Sequence, residues 1–398
     1  MTSIVFIESV QFGAARDALQ ASKQLGYTPI LLTEKRSIAN MPHEWGSTAL
    51  IFHVELTETQ IRDVLDHLRK EGHHLQAVIS FVEPYVSLAA RLSNEYCQTV
   101  LSADALSCME NKLHTRHALA SLDVNPVYFD ITEELHRAVA FPAVIKSSFS
   151  KGSRDVYYIR TAEELATARY KLTSRHTDTV ILLETYMEGI QYMVEVMVRD
   201  HLPQIVAVAE QEVSGDGKFI VTGYSIGNVL PKKDYDELLK LVGEIVGTLH
   251  ITNAAFHLEM RLTSQGWKLI ELNPRMAGFT MNQMIGEAYG INLAKETVRL
   301  YAGEVPLLTK IKECAVYTYC MTTDLCGIFR GISGLEEAAA QPGVKAAQLL
   351  VKTGDIVGPA MSMGQRYGYV MATGDSVELA RERAMEAARL IAFYIEEI

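Results

Sequence analysis

Long apolar runs, a basic excess and paired cysteine motifs are all missing from this chain of 398 residues. No stretch approaches the ~18 consecutive apolar residues of a membrane span. The N-terminus MTSIVFIESV has no basic region ahead of its apolar run, and Glu8 interrupts that run. No membrane partner is expected. Lysine and arginine number 37 against 48 aspartate and glutamate, a formal charge of −11. That balance argues against nonspecific binding to nucleic acid or anionic membrane, although a local cationic pocket is compatible with it. The five cysteines (Cys97, Cys108, Cys314, Cys320 and Cys326) are odd in number and nowhere spaced Cys-x-x-Cys. Neither a disulfide framework nor a zinc knuckle is indicated, and reduced thiols suit a soluble, cytoplasmic protein.

Two nucleotide motifs are absent as well. The segment after the first apolar run has a single glycine, Gly13, with no G-x-G-x-x-G, and G-x-x-x-x-G-K-[ST] occurs nowhere. Any nucleotide must be held in another way.

What is present is enough apolar material, 48% of residues, to bury a large core in about two to four domains. The stretch Ala255–Gly278 is the most informative. Two runs of alternating apolar and polar residues flank Ser264-Gln265-Gly266, which predicts a hairpin with those three residues as its loop. Thr263 then pairs with Trp267, Glu259 with Glu271 and His257 with Asn273. Facing side chains in such a pair stand roughly 4.5–5.5 Å apart at Cβ, and like charges there are destabilising. A hard divalent cation shared by Glu259, Glu271 and the Asn273 amide would explain the arrangement. Arg275 follows two positions later, where a guanidinium could meet phosphates or an oxyanion.

Elsewhere the pattern alternates. Strands at Ser3–Glu8, Thr28–Thr33, Ala49–Phe52 and Ala77–Phe81, with helices at Ala14–Leu25 and Glu58–Glu71, predict a parallel α/β layer over about the first hundred residues. A helical stretch Ala103–Leu119 carries Lys112 and Arg116 one turn apart, which by itself reads as a solvated edge. The apolar strand Phe141–Ser148 ends in Lys146 before the Ser/Gly loop 149–155, a setting suited to phosphate. Val180–Glu184 is a strand that stops before Thr185–Gly189, leaving backbone groups free beside Tyr186 and Met187 to hold a flat heterocycle by its edge. Glu195, on the next strand, is either structural or directed at the site.

Glu210–Pro231, with four glycines, reads as a long irregular cover. It contains Gly223-Tyr224-Ser225-Ile226-Gly227, formally a nucleophile elbow. An elbow needs a helix directly after its serine, and here the helix is delayed to about Lys232, so a serine hydrolase using Ser225 is the weaker alternative. A helical pair Asn282–Ala302 breaks at Tyr289-Gly290. Strands then resume from Ala315, and a closing helix is predicted over Ser376–Ile395.

Taken together, Lys112, FPAVIKSSFSKGS, VILLETYMEG and HLEMRLTSQGWKLIELNPR resemble the ATP-grasp superfamily of carboxylate–amine ligases, and most of all its bacterial L-amino-acid ligases, which make dipeptides. The resemblance implies an α/β, ATP-grasp fold: an N-terminal parallel α/β domain over 1–103, the grasp domain over 104–310 in two parts meeting near 180, and a C-terminal strand-rich α+β lid over 311–398. It implies that Lys112 and Lys146 meet the ATP phosphates, that Ser153 is among the residues binding the nucleotide, and that Glu184, Tyr186 and Met187 form the adenine hinge. Glu259, Glu271 and Asn273 would hold Mg²⁺, or Mn²⁺ in its place. Arg275 would steady the transferred phosphoryl group, His257 would orient ligands or substrate, and Phe279, Gly278 and Glu83 would border the amino-acid substrate. One departure is visible. Gln191 stands where many relatives carry an acidic residue that binds the ribose, so weaker ribose contact is expected. The implied partners are ATP and amino acids, with a homodimer as an open alternative to a monomer. Another ATP-grasp ligase, or a biotin-carboxylase-like enzyme, is the neighbouring alternative.

Overall fold

The computed structural model describes residues 1–10, 12–36, 49–132, 140–150, 152–175, 179–215 and 217–397. Its described residues form four sheets. The first contains β1 (Thr2–Ile7), β2 (Thr28–Thr33), β3 (Leu50–His53) and β4 (His74–Ile79), all parallel in the order β3-β2-β1-β4. Its apolar runs are explained by burial on both faces. Ile4 and Phe6 pack on one side with Ala18 and Leu19, while Val5 and Ile7 pack on the other with Ile61 and Leu65. The parallel layer predicted for this region is therefore present.

The second sheet, in the order β5-β8-β6-β7, comprises β5 (Tyr128–Asp130), β6 (Ala143–Ser147), β7 (Val156–Ile159) and β8 (Ile181–Thr185). Strand alternation gives it two different faces. Ile145, Ile159 and Leu183 lie under the helix Ala162–Arg175, whereas Val144, Lys146, Val156 and Glu184 face a cleft.

Opposite this cleft stands an eight-stranded sheet, which includes β9 (Ile190–Arg199), β10 (Leu202–Val213), β11 (Val221–Ile226), β12 (Ala254–Thr263), β13 (Gly266–Asn273) and β14 (Ala315–Met321). The C-terminal part supplies β15 (Gly327–Ser333), β16 (Val344–Leu349), β17 (Ile356–Val357), β18 (Gly368–Gly374) and β19 (Ala392–Glu397). Of these, β18 and β16 extend the large sheet beyond β14, and β17-β15-β19 make a separate small sheet. Among the described residues no helix is long and apolar enough to cross a membrane.

Four expectations require correction. The hairpin loop is two residues, so Thr263 pairs with Gly266 and Trp267 with Leu262. Ile270 then bulges out of register, which restores the Glu259/Glu271 and His257/Asn273 pairs. Glu210–Pro231 is not one irregular cover, because its first residues, Glu210–Val213, belong to β10 and pair with β11 (Val221–Ile226), which leaves a connection between the two strands and a short one after β11. Ala103–Leu119 is two helices, Ala103–Met109 and Lys112–Ala118, the second capped by the Asn111 side chain. The closing helix stops at Ala388, and the alternating residues after it form β19.

Candidate active site

The cleft between the two antiparallel sheets collects most of the chemistry. From the small sheet come Val144, Lys146, Val156 and Glu184; from the large sheet come Glu259, Arg261, Ile270 and Glu271. The chain passes from one to the other through Thr185–Gly189. Gly189 is required at that crossing, since a Cβ there would lie 2.2 Å from the Leu262 carbonyl oxygen.

Lys112 and Arg116 do not form a solvated edge. Arg116 is 1% exposed, its Nε 3.0 Å from Glu184 Oε1 and its Nη2 donating to the Ile270 carbonyl at 2.7 Å. Lys146 Nζ reaches the other oxygen of Glu184 at 2.6 Å. Burial opposes the Glu184 charge, but the two cations outweigh it and hold this carboxyl down to about 2. Lys112 Nζ lies 2.8 Å from Glu271 Oε1 and also donates to the Ser150 carbonyl.

Glu259 and Glu271 face one another across β12 and β13. Burial and the Glu271 charge push Glu259 up to about 7. Burial acts on Glu271 in the same direction, but Lys112 and Lys146 override it and its pKa is lowered. Two carboxylates on facing strands, with Asn273 two residues beyond Glu271 on β13, are oxygen donors of the type a hard cation takes, so these residues fit Mg²⁺. Among the described residues no cluster of three His, Cys, Asp or Glu forms a metal site. Any cation here would complete its shell with water or phosphate.

Arg275 Nε is 3.2 Å from Glu83 Oε1, which ties the end of the hairpin to the N-terminal domain. His257, pushed down to about 4 by burial and Arg275, is a neutral imidazole. Its Nδ1 therefore donates to the Arg275 carbonyl, 2.8 Å away. Glu195, opposite His257 on β9, accepts from the Ala277 amide at 2.8 Å. By strand alternation both lie on the same sheet face as Glu259 and Arg261, and their hydrogen bonds grip the backbone on either side of Met276.

Tyr186, Met187, Gln191 and Ser153 line the cleft. Gln191 Oε1 lies 3.3 Å from Arg261 Nη2, and its amide donates to Gln211. Phe279, with Gly278 before it, stands outside this cleft among Phe12, Tyr224 and Tyr369. Ser225 sits within β11, paired with Glu210 and Tyr317, where no strand-to-helix turn exists to expose a nucleophile. That disposes of the elbow.

Four contributors escaped the sequence reading: Arg261, Phe219, Met363 and Arg366. Arg261 was findable, because His257, Glu259 and Arg261 share one face of β12 by simple alternation. The others come from irregular segments without a local signal.

Residues 139–283 match the family description ATP-grasp domain, and residues 321–396 match L-amino acid ligase C-terminal domain 2. The chain carries an ATP-grasp domain and is an ATP-dependent ligase. The ligase superposes on the crystal structure of the L-amino acid ligase from Bacillus licheniformis with a TM-score of 0.86 and 18% identity, covering 100% of this chain and 99% of that one. Among curated sequences it is 23% identical to the uncharacterized protein y4rH of Sinorhizobium fredii over 97% of this chain and 82% of that protein. It is 24% identical to carnosine synthase 1 of Gallus gallus, an alignment covering 43% of the ligase and 20% of that longer protein.

Proposed function

We propose that the ligase joins two amino acids by a peptide bond, using ATP and Mg²⁺ and passing through an acyl phosphate. The observation that carries this reading is the pair of facing carboxylates, Glu259 and Glu271, set in a cleft whose remaining ionic groups are mostly cations. A carboxylate is a poor electrophile until it is phosphorylated, and the anions that must meet need opposite charge around them.

In this reading Lys112 and Lys146 draw the triphosphate into the cleft, with Ser153 beside it. The backbone around Tyr186 and Met187 takes the adenine edge, and Glu184 acts indirectly by keeping Lys146 and Arg116 in place. Glu259, Glu271 and Asn273 would hold Mg²⁺, which when bound neutralises phosphate charge. Arg275 orients the transferred phosphoryl group and the developing oxyanion, steadied by Glu83 and by the His257 and Glu195 contacts to its backbone. Phe279 and Gly278 border the amino-acid side chain. Residues 1–103, 104–310 and 311–398 serve as substrate-side domain, grasp and lid.

The test is incubation with ATP, Mg²⁺ and pooled amino acids, measuring phosphate release and identifying products by mass spectrometry. Dipeptide with stoichiometric ADP and phosphate supports the reading. Phosphate release that needs bicarbonate, with no dipeptide, would favour a carboxylase instead.

A further inference from the structure

On the footing of that amino-acid ligase reading, we propose that Arg366 binds a second substrate carboxylate, distinct from the one that is phosphorylated. Arg366 follows the short turn Met363–Gln365 in the C-terminal region. Its guanidinium carbon lies 3.9 Å from the centre of the Phe279 ring and 5.8 Å from that of Tyr224. Nη1 donates to Tyr224 Oη at 2.9 Å and lies 3.8 Å from Cys320 Sγ, while Nε donates to the Met363 carbonyl at 3.0 Å. None of these partners carries a negative charge.

The other cations around the reacting groups bring their own anions. Lys112 has Glu271, Lys146 and Arg116 share Glu184, and Arg275 has Glu83. Arg366 has no carboxylate partner among the described residues. Arg261 also lacks one, but its bonds to the Met187 carbonyl and to Gln191 fasten the hinge and give it a role within the fold. A cation held among aromatic rings without a counter-charge is costly, and an arriving carboxylate offsets that cost through charge-assisted hydrogen bonds. A guanidinium stacked on a ring keeps its edge directed outward, which suits a planar anion.

Position separates this anion from the phosphates. Met363, three residues earlier, lines the nucleotide cleft, and its amide donates to the Gly152 carbonyl at 3.0 Å. Phe279, on the other side, lies just beyond Arg275 and belongs to an aromatic cluster with Phe12 and Tyr369. Arg366 thus stands between the reacting end of the nucleotide cleft and the wall assigned to the amino acid. Two carboxylates could arrive there: the α-carboxylate of the amine substrate, or the side chain of an acidic amino acid.

The experiment compares wild type with Arg366→Met and Arg366→Lys in two arms, reading kcat/KM for condensed product. One arm offers the amine substrate as free acid and as carboxamide; the other offers aspartate against asparagine and glutamate against glutamine. Wild type is expected to favour the carboxylate form in one arm by roughly 10- to 100-fold, the range of a charge-assisted contact. Arg366→Met should erase that preference, and Arg366→Lys should keep part of it. The arm in which preference vanishes identifies the source of the carboxylate. A wild type without preference in either arm overturns the proposal. So does a Met variant that depresses both forms equally, because a phosphoryl contact or a loosened fold would give that result. The underlying ligase reading is checked separately by trapping the acyl phosphate with hydroxylamine, whose nitrogen takes the acyl group as phosphate leaves. Failure of wild type to form any amino-acid hydroxamate sinks that reading. Hydroxamate formation with an unaltered carboxylate preference in the Arg366 variants sinks only the role of Arg366.

Discussion

Two buried acidic sites lie across the same cleft and behave in opposite ways. Glu184, on the small sheet, is clasped by Arg116 and Lys146 and held to about 2. Glu259, on the large sheet, shares its surroundings with Glu271 and is pushed up to about 7. Burial is common to both; what sets the sign is that Glu184 holds two cations in direct contact, whereas Glu259 faces the Glu271 charge and the pull of Lys112, Lys146 and Arg275 does not offset it. The first site is electrostatically closed, whereas the second sets two carboxylates face to face and, in the proposed reading, is where Mg²⁺ binds.

The largest effect should come from the open site. Glu271→Ala and Arg275→Ala are each expected to abolish phosphate release, a loss of at least ~10³-fold, while far-ultraviolet circular dichroism stays that of the wild type. Full activity in either variant would break the assignment of these residues to the chemistry. The closed site should respond in stability instead. Glu184→Gln leaves Arg116 and Lys146 buried without their anion, which costs about 3–5 kcal/mol in denaturant unfolding. The folded pKa of Glu184 is below its unfolded value, so its contribution is present above the unfolded pKa and is lost as pH falls toward 2.

A smaller effect distinguishes the two sites by titration. Glu259 has its folded pKa raised to about 7, so its contribution to stability is complete below the unfolded value and falls as pH rises through 7. Mg²⁺ should reverse that loss by taking a place between the two carboxylates. The rise in Tm produced by Mg²⁺ is therefore expected to be larger at pH 8 than at pH 5.5. An equal rise at both values would place the ion somewhere other than between these carboxylates.

The same contrast shows what the sequence could disclose. The facing acids were legible because alternation sets which side chains share a face. The turn was miscounted by one residue, yet the pairing survived because Ile270 bulges by one in compensation. The clasp of Glu184 by Arg116 and Lys146 was not legible: Arg116 looks like any helix-edge arginine until the chain folds it against Glu184 and Ile270. Glycine misled in the segment Glu210–Pro231. Gly223 serves close packing within a strand, since a Cβ there would lie 2.3 Å from the Tyr317 hydroxyl. Arg366 reaches Phe279 from far along the chain and from an irregular turn, so no periodicity announces it.

Glu195 extends the comparison to a third case and the smallest predicted effect. It is 2% exposed, and burial pushes it up to about 8, opposed only by the Ala277 amide and the more distant Arg275. With still less cationic company than Glu259, it stays protonated near neutrality and accepts the Ala277 amide without carrying charge. Since its folded pKa exceeds the unfolded one, wild-type stability should decline between about pH 5 and 8, by at most about 1.4 kcal/mol per pH unit from this group. Glu195→Gln supplies the same acceptor oxygen and cannot ionise. Its unfolding free energy should match wild type near pH 5 and exceed it at pH 8, measured without Mg²⁺ so that Glu259 contributes equally to both proteins. Parallel pH profiles would mean that Glu195 is already ionised in the fold, and the rule that neighbouring charges decide the sign would then fail at its simplest instance.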